Sequence, residues 1–260
     1  MKPLAELDAR GVKALLFDID GTLSTEGKLT AQAYDALERL QRAGKIMVPV
    51  TGRPAGWCDH IARMWPVDAV VGENGAFYFF RAGGRLQKRF HDDAATRREK
   101  RARLEAIARR ILAAVPGCAL AADQDYRETD LAIDYGEDVA PLPLEAAERI
   151  ASLMRETGLN AKVSSIHVNG WFGDYDKLAM SRVLFAERFA MDLAQSGQDI
   201  VFAGDSPNDA PMFAFFEHSV GVANVRRFKD LLPDQPKYVT RAASGAGFAE
   251  LAEHLLRGRS

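Results

Sequence analysis

The apolar run formed by Val12, Ala14, Leu15, Leu16 and Phe17 ends abruptly in Asp18-Ile19-Asp20-Gly21-Thr22-Leu23. A run of this kind suits a parallel strand covered on both faces. Carboxylates spaced i and i+2 project to one side wherever the chain stays extended, and Gly21 permits a sharp turn directly after them. Two carboxylates converging at a strand end repel each other unless a cation or a proton lies between them. The segment therefore suits a nucleophile, a proton donor and a magnesium ion gathered beyond the strand. An acidic strand-to-loop turn is the plain alternative, and other segments must decide between the two.

Several further apolar runs end in residues capable of chemistry. A helix is expected over about Thr30 to Ala43, with Tyr34, Leu37 and Leu40 on one face and Gly44 as its stop. Ile46-Met47-Val48-Pro49-Val50 reads as a strand ending in Thr51-Gly52-Arg53-Pro54, with regular pairing weakening near Pro49, which has no N–H to donate. Ala69-Val70-Val71 runs into Gly72-Glu73-Asn74-Gly75, and Ile200-Val201-Phe202-Ala203 into Gly204-Asp205-Ser206-Pro207-Asn208-Asp209. Short strands at Ser219–Val222 and Lys237–Thr240 complete an α/β pattern. Strands alternating with helices give a doubly wound parallel sheet, which binds ligands beyond the carboxyl ends of its strands.

The middle of the chain reads differently. A hairpin is expected from Phe77–Phe80 and Leu86–Phe90 around Ala82-Gly83-Gly84. A charged helix over about Ala95 to Val115 follows, then strands at Cys118–Ala121 and Thr129–Tyr135, a helix over Leu144 to Thr157, and one strand over Lys162 to Val168. This αβ insert is large enough to be a small domain of its own. Its boundaries fall near Arg81 and Trp171, leaving residues 1–80 and 172–260 as the core and 81–171 as the insert. Arg97, Arg98, Lys100, Arg101, Arg103, Arg109 and Arg110 read as a solvated helix surface, with steering of an anionic substrate as the lesser alternative.

Taken in order, Asp18-Ile19-Asp20-Gly21-Thr22, Thr51-Gly52-Arg53, Lys177 and Gly204-Asp205-Ser206-Pro207-Asn208-Asp209 resemble the four motifs of the haloacid dehalogenase superfamily of phosphotransferases. Glu73-Asn74-Gly75-Ala76 and the position of the insert resemble its type IIB, or Cof-type, branch, which includes many sugar phosphatases. The resemblance implies a Rossmann-like core with a cap domain. It also implies phosphate monoester hydrolysis through an aspartyl-phosphate, with a small phosphorylated metabolite, such as a sugar phosphate, as substrate. Asp18 is then the nucleophile, since a carboxylate is already ionised at neutral pH. Asp20 protonates the leaving oxygen and then activates water. Asp205 completes a Mg²⁺ site with Asp18 and the backbone carbonyl of Asp20, and Asp209 lies behind them. Thr51, Gly52, Lys177 and Asn208 contact the substrate phosphate. A phosphomutase of the same branch, or a non-catalytic sugar-phosphate sensor, would use much of the same machinery.

His167, Asn169 and Trp171 would share one strand face where the insert returns to the core. From there Trp171 could stack on a sugar ring and Asn169 could read hydroxyls, unless the strand simply packs between domains. Tyr126 and Arg127, in a loop of the insert, are further candidates. The formal net charge of -2 argues against a nucleic-acid partner. Cys58 and Cys118 lack metal-cluster spacing and suit a reduced, cytoplasmic setting. No stretch is long and apolar enough to span a membrane, and Met1–Glu6 carries no apolar leader. A monomer or small homo-oligomer is expected.

Overall fold

The computed structural model describes residues 1–164 and 166–258. Six parallel strands form the central sheet, in the order Lys2–Pro3, Tyr238–Val239, His218–Gly221, Ile200–Gly204, Ala14–Phe17, Ile46–Pro49. Ala14–Phe17 is fully buried between two neighbours, and its alternate residues serve opposite faces. Leu15 and Phe17 pack with Leu37 and Leu40 of helix Ala31–Arg42 and Phe248 and Leu251 of helix Ser244–Arg257. Ala14 and Leu16 pack with Leu184 and Phe185 of helix Lys177–Phe189 and Phe213 of helix Ala210–Phe215. The sheet is thus wound on both faces, and the run from Leu15 to Phe17 is apolar at every position because each side meets a helix.

Pro49 closes its strand opposite Phe17. Val50 N donates to Phe17 O, whereas Met47 N and Thr51 N point outward, to Asp68 Oδ2 and Val71 O. Pro49 lies between those two outward donors and has no N–H of its own. Across that edge the pairing with Ala69–Gly72 is reduced to the single bridge Val50–Val71. Beyond the bridge, Ala69–Gly72, Phe77–Ala82 and Arg85–Phe90 form an antiparallel sheet. The expected hairpin is therefore present, and it pairs with a core strand. Arg81 lies inside its first strand.

The insert is a second antiparallel sheet, ordered Ala119–Leu120, Asp130–Asp134, His167–Trp171, Asn160–Val163. The single strand expected over Lys162 to Val168 is instead two antiparallel strands, Asn160–Val163 and His167–Trp171, with Ser164 Oγ accepting from His167 N at 3.0 Å. Helices Ala94–Ala114 and Leu144–Glu156 cover one face through Leu104, Ile111, Ile150 and Met154, against Ile133 and Val168. Asp93 starts the first helix, its carboxylate accepting from Ala95 N and Thr96 N. The opposite face carries Asp130, Asp134, His167 and Asn169, all buried, and lies over the strand ends of the core. Part of the basic helix surface is not solvated: Lys100 Nζ pairs with Asp92 and the carbonyl of Phe172, and the Arg97 guanidinium lies 3.7 Å over the Phe90 ring. Among the described residues no helix is long and apolar enough to cross a membrane.

Candidate active site

The carboxyl ends of Ala14–Phe17 and Ile200–Gly204 bring the first and last acidic motifs side by side. Asp18 N donates to Ala203 O at 2.9 Å, extending the strand pairing to the first carboxylate. Asp18 is 4% exposed, and its Oδ1 accepts from Lys177 Nζ at 2.7 Å. The same Nζ donates to Asp209 Oδ1 at 2.9 Å. Carboxylate oxygens of Asp18, Asp205 and Asp209 lie within 4.8 Å of one another. Burial pushes the Asp18 carboxyl up to about 7 against the pull of Lys177, with Asp209 and Asp20 adding to the rise. Burial, then Asp18 and Asp209, raise Asp205 well above the usual carboxylate range. Burial works against the charged Lys177 amine, but Asp18 and Asp209 outweigh it and hold its pKa above the ordinary value. Three buried oxygen ligands with a single ammonium among them fit a hard divalent cation, which would remove the remaining repulsion.

Glycine makes this crowding possible. A Cβ on Gly21, where φ is +77°, would sit 2.5 Å from Asp205 Oδ2. Lys177 stands at the start of its helix, capped by Asp176, whose carboxylate accepts from Ala179 N at 2.7 Å. Asn224 is a site residue that the sequence did not reveal. Its Nδ2 donates to Gly21 O at 3.0 Å and to Asp205 Oδ2 at 2.8 Å, tying the two acidic loops together.

Asp20 turns away from the carboxylate cluster. Its side chain is gripped by Arg53, with Nη2 to Oδ1 at 2.8 Å and Nε to Oδ2 at 2.9 Å. Arg53 also donates to Glu137 Oε1 of the insert at 3.2 and 3.3 Å, and its guanidinium lies 4.4 Å over the Trp57 ring. His167 Nε2 is 2.9 Å from Glu137 Oε2 but off the line of a full hydrogen bond. His167 and then Arg53 hold the Glu137 carboxyl down to about 2, against the effect of burial. Core and insert therefore meet through the chain Asp20, Arg53, Glu137, His167.

A second junction is built on Glu73, which is fully buried. Its carboxylate accepts from Ala55 N of the core at 2.8 Å and from Glu128 N and Thr129 N of the insert at 2.9 and 2.7 Å. Burial and nearby Asp130 push this carboxyl up to about 7. Arg127 then completes the contact, reaching Gly52 O at 3.1 Å while pairing with Asp123 and Asp130.

Of the residues singled out in the sequence, Asp18, Asp20, Gly52, Asp205 and Asn208 line the cleft between core and insert, as do Arg127, His167 and Asn169. Thr51 is fully buried behind them, its Oγ1 accepting from Arg53 N at 3.0 Å. Lys177 reaches the site through Asp18. Asn169 donates to Asp130 Oδ2 at 3.1 Å at the cleft wall. Trp171 is not available to stack on a ligand: it is 2% exposed, packs with Ile19, Phe79 and Tyr175, and donates Nε1–H to Tyr175 O. The strand alternates as expected, but its last residue lies in a hydrophobic cluster with Ile19 and Phe79 and not over the cleft. Tyr126 lies outside the cleft, its ring against Gly56.

The core is a Rossmann-like parallel sheet with acidic residues gathered at its strand ends, and the αβ insert lies above them. Residues 15–96 match the family model of haloacid dehalogenase-like hydrolases. The chain is similar to phosphoglycolate phosphatase 1 of Saccharolobus solfataricus, 23% identical over 95% of this chain and 97% of that one. It is also similar to a phosphoglycolate phosphatase of Pyrobaculum neutrophilum, 28% identical over 95% and 97%. Among solved structures, a Thermoplasma acidophilum protein shares the fold with a TM-score of 0.71, at 17% identity over 94% of this chain and 98% of that one.

Proposed function

We propose that the protein is a magnesium-dependent phosphatase for a small phosphorylated metabolite with an uncharged, hydroxyl-bearing leaving group, such as a sugar phosphate. The observation that carries this reading is Asp18 itself, a carboxylate at the end of the central strand, facing the cleft with Lys177 at 2.7 Å and Asp205 and Asp209 beside it. Asp18 attacks phosphorus while the bond to the leaving oxygen breaks, and Asp20 delivers a proton to that oxygen. Asp20, now ionised, takes a proton from the water that hydrolyses the aspartyl-phosphate. Gly52 leaves a backbone amide unobstructed for a phosphoryl oxygen, and Asn208 offers a side-chain amide. Asp18 and Asp205, with the Asp20 carbonyl, would hold Mg²⁺, which neutralises charge on the transferring group. Asp209 braces the set through Asp205 N and Lys177. The enzymatic steps draw mainly on positioning and charge neutralisation.

The insert acts as the cap, with residues 81–171 as its approximate span. The cleft encloses about 40 Å³, room for roughly three water molecules, so a substrate enters only when the cap swings away. Relatives named phosphoglycolate phosphatases raise a carboxylate-bearing substrate as the second reading. Against it, both arginines lining the cleft are already committed to carboxylates: Arg53 to Asp20 and Glu137, Arg127 to Asp123 and Asp130. On the insert side of the cleft, Ser164, His167 and Asn169 present polar groups that suit hydroxyls. Phosphate release across a panel containing hexose phosphates, polyol phosphates and phosphoglycolate, with and without Mg²⁺, tests the reading. Turnover confined to phosphoglycolate would replace the proposed substrate class. Formation of an isomeric sugar phosphate instead of free phosphate would replace hydrolase by mutase.

A further inference from the structure

We propose that Asn74 is a phosphate-binding residue, its side-chain amide donating to a phosphoryl oxygen held beside Gly52. The inference rests on the functional reading above. Asn74 is 6% exposed and lines the cleft together with Asp18 and Gly52. Its Nδ2 is buried and has no hydrogen-bond partner among the described residues, an arrangement folded proteins rarely keep without a use. The backbone places it deliberately. Asn74 N donates to Thr51 O at 3.1 Å, fastening the residue to the loop that carries Gly52. Gly52 has no Cβ, and one built there would lie 3.2 Å from Asn74 Oδ1, so the missing side chain lets the amide close over the loop. A half-turn of the terminal amide can present either end to a ligand.

The local conformation is costly. Glu73, Asn74 and Gly75 have φ of +42°, +57° and +107°, three successive residues on the left-handed side. Such strain persists where surrounding contacts demand it and concentrates at functional sites. Glu73 is accounted for by its bonds to Ala55, Glu128 and Thr129. The close approach of Gly75 to Asp176 accounts for that residue, since a Cβ there would lie 2.0 Å from Asp176 O. Asn74 has a buried donor that meets no acceptor among the described residues. A phosphoryl oxygen brought to the Gly52 amide meets that need, because it offers lone pairs to both donors.

The test uses inorganic phosphate as a competitive inhibitor of 4-nitrophenyl phosphate hydrolysis. Glycine adopts φ near +57° without strain, so Asn74→Gly keeps the fold and removes only the donor. Asn74→Asp keeps the shape and places an anion where the donor stood. We expect the phosphate inhibition constant to rise roughly tenfold in Asn74→Gly and further in Asn74→Asp. Both variants should retain the parent's thermal unfolding temperature to within a few degrees. Inhibition constants unchanged within about twofold in both variants would overturn the assignment. So would a loss of kcat/KM for a sugar phosphate with phosphate affinity intact, which would move the donor to the leaving group. If the unsubstituted protein neither hydrolyses an ester nor binds phosphate, the functional reading fails and not this assignment alone.

Discussion

Substituting Gly75 by alanine should disable the enzyme from a position that touches no substrate. Two effects add at this residue. With φ at +107°, a side chain costs on the order of 1–3 kcal/mol in backbone strain. The added Cβ would also lie 2.0 Å from Asp176 O, 2.3 Å from Asp176 C and 2.9 Å from Lys177 N, where real contacts stay above 3.0 Å. The obstacle is backbone and cannot rotate aside, so the start of helix Lys177–Phe189 must recede by about 1 Å. Lys177 is the first residue of that helix and holds Asp18 at 2.7 Å. Misplacing a group in the reacting constellation by about 1 Å is worth roughly a hundredfold in rate. The assay is kcat/KM for 4-nitrophenyl phosphate alongside thermal unfolding. A fall of roughly a hundredfold is expected, with a loss of several degrees in Tm. Gly83→Ala is the control: its φ is +57° but nothing lies within 4 Å of the added Cβ. It should lose stability and keep activity. Gly75→Ala with activity within about threefold of the parent, or Gly83→Ala equally inactive, would refute the reasoning that displacement of Lys177 is the cause.

Lys177→Met removes the one ammonium among three buried carboxylates and should cost about 3–5 kcal/mol of stability in metal-free protein, measured by denaturant unfolding, with Mg²⁺ recovering part of the loss. A chelator should abolish phosphate release and Asp205→Ala should raise the Mg²⁺ concentration needed for half-maximal activity, both read in a phosphate-release assay. Glu137 is held down to about 2 from an ordinary value of 4.5, so its contribution is present above pH 4.5 and is lost as pH falls toward 2. The Tm difference between the parent and Glu137→Gln should therefore shrink over that window, modestly, because the side chain is 33% exposed.

Much of the architecture could be read from apolar runs that end in acidic or polar residues, because a parallel sheet with two covered faces leaves its strands no alternation and puts function at their ends. The helix at Ala31–Arg42 and the hairpin at Phe77–Phe90 carried equally local signals, a capping Thr30 and the turn at Gly83-Gly84. The division of Asn160–Val163 from His167–Trp171 was hidden because the sequence between them holds no glycine or proline. The residues that hold the site together were the hardest to see. Arg53 meets Glu137 across 84 positions of sequence, and Asn224 reaches Gly21 across 203. Arg53 sits in a recognisable motif, but neither Glu137 nor Asn224 has a local pattern that distinguishes it from an ordinary surface residue. Trp171 shows the complementary error, since period-two alternation told which face it occupies but not that this face runs into a hydrophobic cluster beside Ile19 and Phe79.

The central claim is that Asp18 becomes phosphorylated. Enzyme quenched in acid during turnover of a phosphate ester, reduced with borohydride and digested, converts an aspartyl-phosphate to homoserine at the modified position. The peptide containing Asp18-Ile19-Asp20 is expected to carry homoserine at residue 18, in proportion to the burst of released alcohol. Reduction at another carboxylate, or an unmodified digest from enzyme caught in mid-turnover, would contradict the account.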